Sequence, residues 1–197
     1  MLKPLSLTAS LLLIASTQVS ATMLSGGLNV DNGYVAYLST DNQSQGVQVS
    51  AANNWYATYN FSGVNLAAGQ DYFLHIYAYD QGGIAGFLGE FNLTGTDHLF
   101  SNGQSTLLSN TIDWDVSTSG WSNYQDATYL GGNGASPWGT RTGVSSSAEW
   151  IWSADAHNDN YTYFTTAISA AAVSEPSSLF LMGLGVAGLV VARKKMS

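Results

Sequence analysis

The chain has 197 residues, no cysteine, and thirteen Asp and Glu against five Lys and Arg. The length points to one domain of ordinary size, and the missing cysteine excludes thiol redox chemistry, thiolate metal sites and cysteine nucleophiles. Only Glu175 among the acids lies in the terminal segments, along with every Lys and Arg except Arg141, so the middle of the chain carries twelve acids against one arginine, a formal −11. Such a surface repels phosphate backbones and excludes nucleic acid as a natural partner; divalent cations and neutral sugars suit it.

The chain starts with a basic Met1-Leu2-Lys3, an apolar run from Leu5 to Ala15, and a small-x-small ending at Val19-Ser20-Ala21. That is the layout of a secretory signal helix, residues 1–21, cleaved after Ala21. Residues 22–170 then read as β. Strand candidates are Leu28–Asp31, Tyr34–Ser39, Val47–Ser50, Trp55–Phe61, Tyr72–Tyr79 and Ile84–Leu93, then Thr111–Val116, Ala127–Leu130, Glu149–Ser153 and Tyr161–Ala167. Turn signals at Asn32-Gly33, Gly69, Gly82-Gly83, Gly95, Asn102-Gly103 and Gly131–Gly134 separate them. Many short strands with frequent turns and no helical period predict an all-β antiparallel sandwich.

The most regular segment is DYFLHIYAYDQGGIAGFLGEF. Alternation puts Leu74, Ile76 and Ala78 on one face, read as core, and Phe73, His75, Tyr77 and Tyr79 on the other. The second set is either covered by a neighbouring layer or a surface platform. Gly82-Gly83 is expected to reverse the chain so that Ile84–Leu88 pairs back on this strand. The segment 102–144, rich in Gly, Ser and Asn around Trp114, Trp121 and Trp138, reads as long loops decorating the sandwich.

Chemistry-bearing patterns are sparse. His75, His98 and His157 show no zinc-ligand spacing, and no G-x-S-x-G elbow occurs. Asp113 and Asp115 fall on one face of an expected strand, where two solvated acids are the ordinary reading and a glycosidase pair the weaker one. Oxygen-rich clusters at Asp31-Asn32, Asp80, and Asp155 with Asn158, Asp159 and Asn160 make Asp31, Asp155 and Asp159 candidate calcium ligands, although Asp and Asn also simply favour turns. Aromatic rings can stack on the CH faces of sugars while amides and acids bond the hydroxyls. Trp121, Trp138, Tyr124 and Asn123 are the candidate glycan-binding set, whereas Trp150 and Trp152, sharing a strand face, are expected to fill the core.

Residues 171–178 form a linker, and 179–197 an apolar helix with a basic tail. Fourteen residues from Leu179 to Ala192 would span ~21 Å as a helix, short of a ~30 Å hydrocarbon core. Arg193-Lys194-Lys195 favour a cytoplasmic C-terminus, and Gly183, Gly185 and Gly188 offer a closely approachable face to another membrane protein.

Two resemblances follow. The tail, with Glu175-Pro176, an apolar span and the Arg193-Lys194-Lys195 cluster, resembles a PEP-CTERM sorting signal in which Ser174 replaces the first proline. The resemblance implies export across the inner membrane of a Gram-negative bacterium, transient anchoring there, and recognition by an exosortase. It further implies release or attachment at the surface alongside exopolysaccharide. Second, Asp31, Asn32, Tyr34, Trp55, Gly69, Gly82, Gly83, Ala85 and Gly86, with the later AEWIWSAD, resemble a galactose-binding-like jelly roll. The jelly-roll motifs carry fold rather than ligand; with the loop aromatics, the reading favoured is a non-catalytic exported surface or matrix protein that binds polysaccharide. The alternatives are a structural or adhesive matrix component without a defined ligand and, at lower weight, a glycan-acting enzyme.

Overall fold

A computed structural model of the chain describes residues 21–171. The strands among them, in chain order, are β1 (Thr22–Asp31), β2 (Gly33–Ser39), β3 (Val47–Ala52), β4 (Tyr59–Leu66), β5 (Tyr72–Tyr79), β6 (Gly86–Leu93) and β7 (His98–Phe100). They continue with β8 (Thr106–Leu108), β9 (Asp115–Ser117), β10 (Gln125–Asp126), β11 (Thr128–Gly132), β12 (Glu149–Trp152) and β13 (Tyr161–Ala170). The first sheet runs β11-β12-β6-β1-β4 with β8 beside β6; the second runs β10-β9-β13-β5-β2-β3 with β7 beside β13. The pairings are antiparallel and the two sheets form a β-sandwich. Apart from Ala21, the expected signal helix, the expected membrane helix and the sorting residues Ser174, Glu175, Pro176, Arg193, Lys194 and Lys195 lie outside the described residues.

The alternation expected for Tyr72–Tyr79 holds. Leu74, Ile76 and Ala78 are fully buried between the sheets, against Leu24, Leu28 and Phe87 of the first sheet's strands. Each large side chain so buried contributes about 1.5–3 kcal/mol of transfer free energy. Gly26 admits two rings into this core, since a Cβ there would meet Phe91 Cδ1 at 2.5 Å and Phe61 Cε1 at 2.9 Å.

The hairpin expected at Gly82-Gly83 does not form. β5 lies in the second sheet and β6 in the first, so the connection crosses the sandwich. The crossing is tied to the β12–β13 loop: Asp80 N–H donates to Asn160 O at 2.9 Å and Ala85 N–H to Ala156 O at 2.8 Å. It lets Phe87 face Phe164 across the core, with ring centroids 4.9 Å apart. Trp55, expected in a strand, sits in the preceding turn, where Asn54 Oδ1 accepts from Tyr56 N–H.

Segment 102–144 is more than decoration. It supplies β8 to β11 and two buried tryptophans. Trp114 packs between Phe87 and Phe91, centroids 5.2 and 5.4 Å away, and donates Nε1–H to Leu108 O at 3.2 Å. Trp138 joins Leu88, Val144, Ala148 and Trp150 in a second apolar cluster. Gly86 makes room for it: a Cβ there would meet Trp138 Cζ2 at 2.7 Å and Trp150 Cε3 at 2.9 Å. Trp150 and Trp152 are both fully buried as expected, yet they do not share one neighbourhood. Trp152 packs on Phe164 in the main core, while Trp150 stacks on Trp138.

Candidate functional site

Because Leu74, Ile76 and Ala78 point inward, Phe73, His75, Tyr77 and Tyr79 line the outer face of the second sheet. Antiparallel register then assembles the neighbours. Tyr163 lies opposite Tyr77, Tyr161 opposite Tyr79, and Tyr37 and Thr165 flank His75 on its two sides. The outcome is a run of rings on one surface. Tyr77 and Tyr161 are nearly parallel at 4° with centroids 6.3 Å apart, and Tyr163 and Tyr79 stand 5.1 and 6.1 Å from Tyr77. Tyr161 is 59% exposed, and Tyr77, Tyr79 and Tyr163 are half-buried, so their rings are held but not covered. Tyrosine offers a broad rigid face with a polar tip at little entropic cost, which suits recognition of a flat, hydroxylated ligand.

The β9–β10 loop bounds this platform. Trp121 is half-buried, stacked on His75 at 4.4 Å and 12°, with Tyr163 and Tyr37 edge-on at 4.9 and 6.0 Å. Beneath the loop sits a polar knot. Asn42 Oδ1 accepts from Thr165 Oγ1 at 2.6 Å and lies 3.2 Å from His75 Nε2, while the Tyr124 hydroxyl donates to Asn42 O at 3.0 Å. Burial holds the His75 imidazole below its ordinary pKa, so it is neutral at pH 7 and its buried Nδ1 has no hydrogen-bond partner. Burial also pushes the Tyr124 phenol up to about 12, with Asp115 and Asp41 opposing ionisation further. The knot therefore presents neutral donors and acceptors and fixes Trp121 against the sheet.

The sequence-derived glycan set is thus divided. Trp121 and Tyr124 border the platform, and Asn123 is exposed nearby in the left-handed region at φ 54°. Trp138 does not join them: it is 3% exposed, and its indole N–H donates to Asp31 Oδ2 at 3.0 Å, leaving no face open to a sugar. Tyr77, Tyr161 and Tyr163 went unassigned as ligand-binding residues, although the alternation that placed Tyr77 outward, extended to Tyr161–Ala167, would have found them.

The calcium and carboxylate candidates are placed as follows. Asp31 is buried on Trp138, and burial raises its pKa. Asp155 is exposed and spends both oxygens on Asn158 and the turn at His157, holding its carboxyl below the usual range. Asp159 accepts from Ser153 Oγ at 2.7 Å. Among the described residues no group of three or more His, Asp or Glu side chains is placed to share a metal ion. Asp113 and Asp115 do not share a strand: Asp113 accepts from Asn110 Nδ2 in a turn, and only Asp115 enters β9.

Comparison with curated proteins and with solved structures finds no match. One sequence family does match, at the C-terminus alone: residues 172–195 fit the PEP-CTERM protein-sorting motif. The β-sandwich therefore precedes a sorting tail, and the chain carries the signal of an exported protein processed by exosortase at the membrane of a Gram-negative bacterium.

Proposed function

We propose that this is a non-catalytic surface or extracellular-matrix protein whose sandwich binds polysaccharide on the outer face of the second sheet. The observation that carries the reading is the parallel Tyr77–Tyr161 pair with Tyr163 and Tyr79 beside it, an aromatic surface on a domain of formal charge −11. Rings at this spacing can stack successive sugar faces, and the phenol hydroxyls supply hydrogen bonds at their rims. The sorting tail at residues 172–195 supports the reading, since an exported domain can meet extracellular polysaccharide. For the fold we favour a galactose-binding-like jelly roll, supported by the alternation of β4 to β9 between the two sheets.

The test is a glycan-array and affinity-electrophoresis screen of the purified protein, with and without calcium, beside the Tyr77→Ala/Tyr161→Ala double variant. Binding to at least one glycan that falls at least tenfold in the variant supports the reading. No binding in either condition, or binding indifferent to the substitutions, overturns it.

A further inference from the structure

Arg141 is the one cation of the acidic sandwich segment, and its placement is unusual. Its guanidinium carbon lies 5.2 Å from the Trp55 ring centroid, and Nη1 donates to Tyr56 O at 3.2 Å. Nε is buried with no hydrogen-bond partner. The Arg141 charge favours the ionised form of the nearby Asp31, while the guanidinium lies over an aromatic ring.

The surroundings are built to hold it. Asn133 fixes the Arg141 loop, accepting from Arg141 N–H at 2.7 Å and donating Nδ2–H to Arg141 O and Val144 O, each at 3.0 Å. Asn29, fully buried, fixes the facing loop by donating to Ala57 O at 2.7 Å. Tyr56 stacks on Trp55 at 3.9 Å, yet the residue is 71% exposed. Between the two loops is a cleft of about 430 Å³ lined by Tyr56, Asn60, Thr140, Arg141 and Thr142. It shares Asn60 and Gly143 with an adjoining groove that Glu90 also lines. Gly27 keeps that floor low: a Cβ there would meet Asn60 Oδ1 at 2.5 Å.

We infer that this groove, on the first sheet and separate from the tyrosine platform, binds a carboxylate-bearing sugar unit. Arg141 grips the carboxylate, Tyr56 stacks on the ring, and Asn60, Thr140 and Thr142 bond hydroxyls. Glu90, engaged by Ser145 N–H at 2.8 Å, repels a second acid further along. The polymer that fits alternates acidic with uncharged sugars rather than bearing an acid on every unit. The inference does not rest on the platform reading.

The probe is a series of hyaluronate oligosaccharides, with one carboxylate per disaccharide, against the same oligosaccharides as methyl esters. Titration of the full chain by calorimetry should show binding of the acid form, weakened about tenfold or more by esterification and by Arg141→Gln. Arg141→Lys, which keeps the charge and loses the fork, falls between. Tyr56→Ala, a change at an exposed ring, weakens binding several-fold with unchanged thermal unfolding, which guards against misfolding of the arginine variants. The Tyr77→Ala/Tyr161→Ala double variant retains binding. Equal affinity for acid and ester, no binding of either, or wild-type affinity in Arg141→Gln overturns the inference. Binding lost only in the tyrosine variant overturns it too, while leaving the platform reading intact.

Discussion

Replacing Trp138 separates a sugar-facing aromatic from a structural one. Trp138→Ala removes a side chain 3% exposed and stacked on Trp150 at 4.5 Å and 19°. Truncating a buried tryptophan costs about 3–5 kcal/mol. For a domain this size that lowers Tm by about 2–4 °C for each kcal/mol. Trp138→Phe keeps a ring in the cluster and removes the indole N–H, which donates to the buried Asp31 carboxylate at 3.0 Å, together with the ring atoms that carry it. A hydrogen bond to a charged acceptor is worth about 1.5–3 kcal/mol. The size of this loss should depend on pH. Burial raises the Asp31 pKa and the Trp138 bond lowers it, so removing the bond lets the folded-state value climb further. The penalty is greatest near pH 7, where Asp31 is ionised, and shrinks as the pH falls and the acid takes up a proton. Urea unfolding followed by tryptophan fluorescence and near-UV dichroism, at pH 7 and again near pH 4, measures both variants. A Trp138→Phe penalty equal at the two pH values, or Trp138→Ala unfolding within about 0.5 kcal/mol of wild type, would refute the buried indole–carboxylate contact.

Two further outcomes follow. His75 is held below its ordinary pKa by burial, so the unfolded chain binds more protons; its stability contribution is complete above about pH 6.5 and is lost as pH falls through the folded-state value. His75→Phe, which keeps a ring under Trp121, should flatten the fall in urea midpoint between pH 7.5 and 5.5, and an unchanged slope would place the titrating group elsewhere. In the tail, Ser174→Pro should raise the fraction of processed protein and Glu175→Ala/Pro176→Ala should lower it, both read by immunoblot of precursor against mature form; identical processing in all three chains would detach the cut from this motif.

Strand positions were legible where one face is core. In Tyr72–Tyr79 the alternation alone separated the buried Leu74, Ile76 and Ala78 from the ringed outer face. Connectivity was not legible, because Gly82-Gly83 permits a tight reversal and a crossover alike; the choice was made by Ala85 and Asp80 bonding to a loop some 70 to 80 residues later. Trp138 looked like a loop aromatic because its neighbours are Gly and Ser, while its acceptor, Asp31, is 107 residues away. The shared strand face placed Trp150 and Trp152 inside, but not in which cluster; a register shift between Tyr129 and Gly131 accompanies their separation into two clusters. The platform was half visible, since its β5 rings are local and their β13 partners depend on register. Arg141 was seen only as a charge count, because its contacts with Trp55 and Tyr56 come from a loop distant in sequence.

Polysaccharide binding by the outer tyrosine face can be read in cells that make the protein, by fractionating the culture into medium and polysaccharide matrix and immunoblotting the mature form. Wild-type protein should partition with the matrix, and Tyr77→Ala/Tyr161→Ala, processed equally well, should move into the medium. A double variant that stays with the matrix as firmly as wild type would contradict that binding.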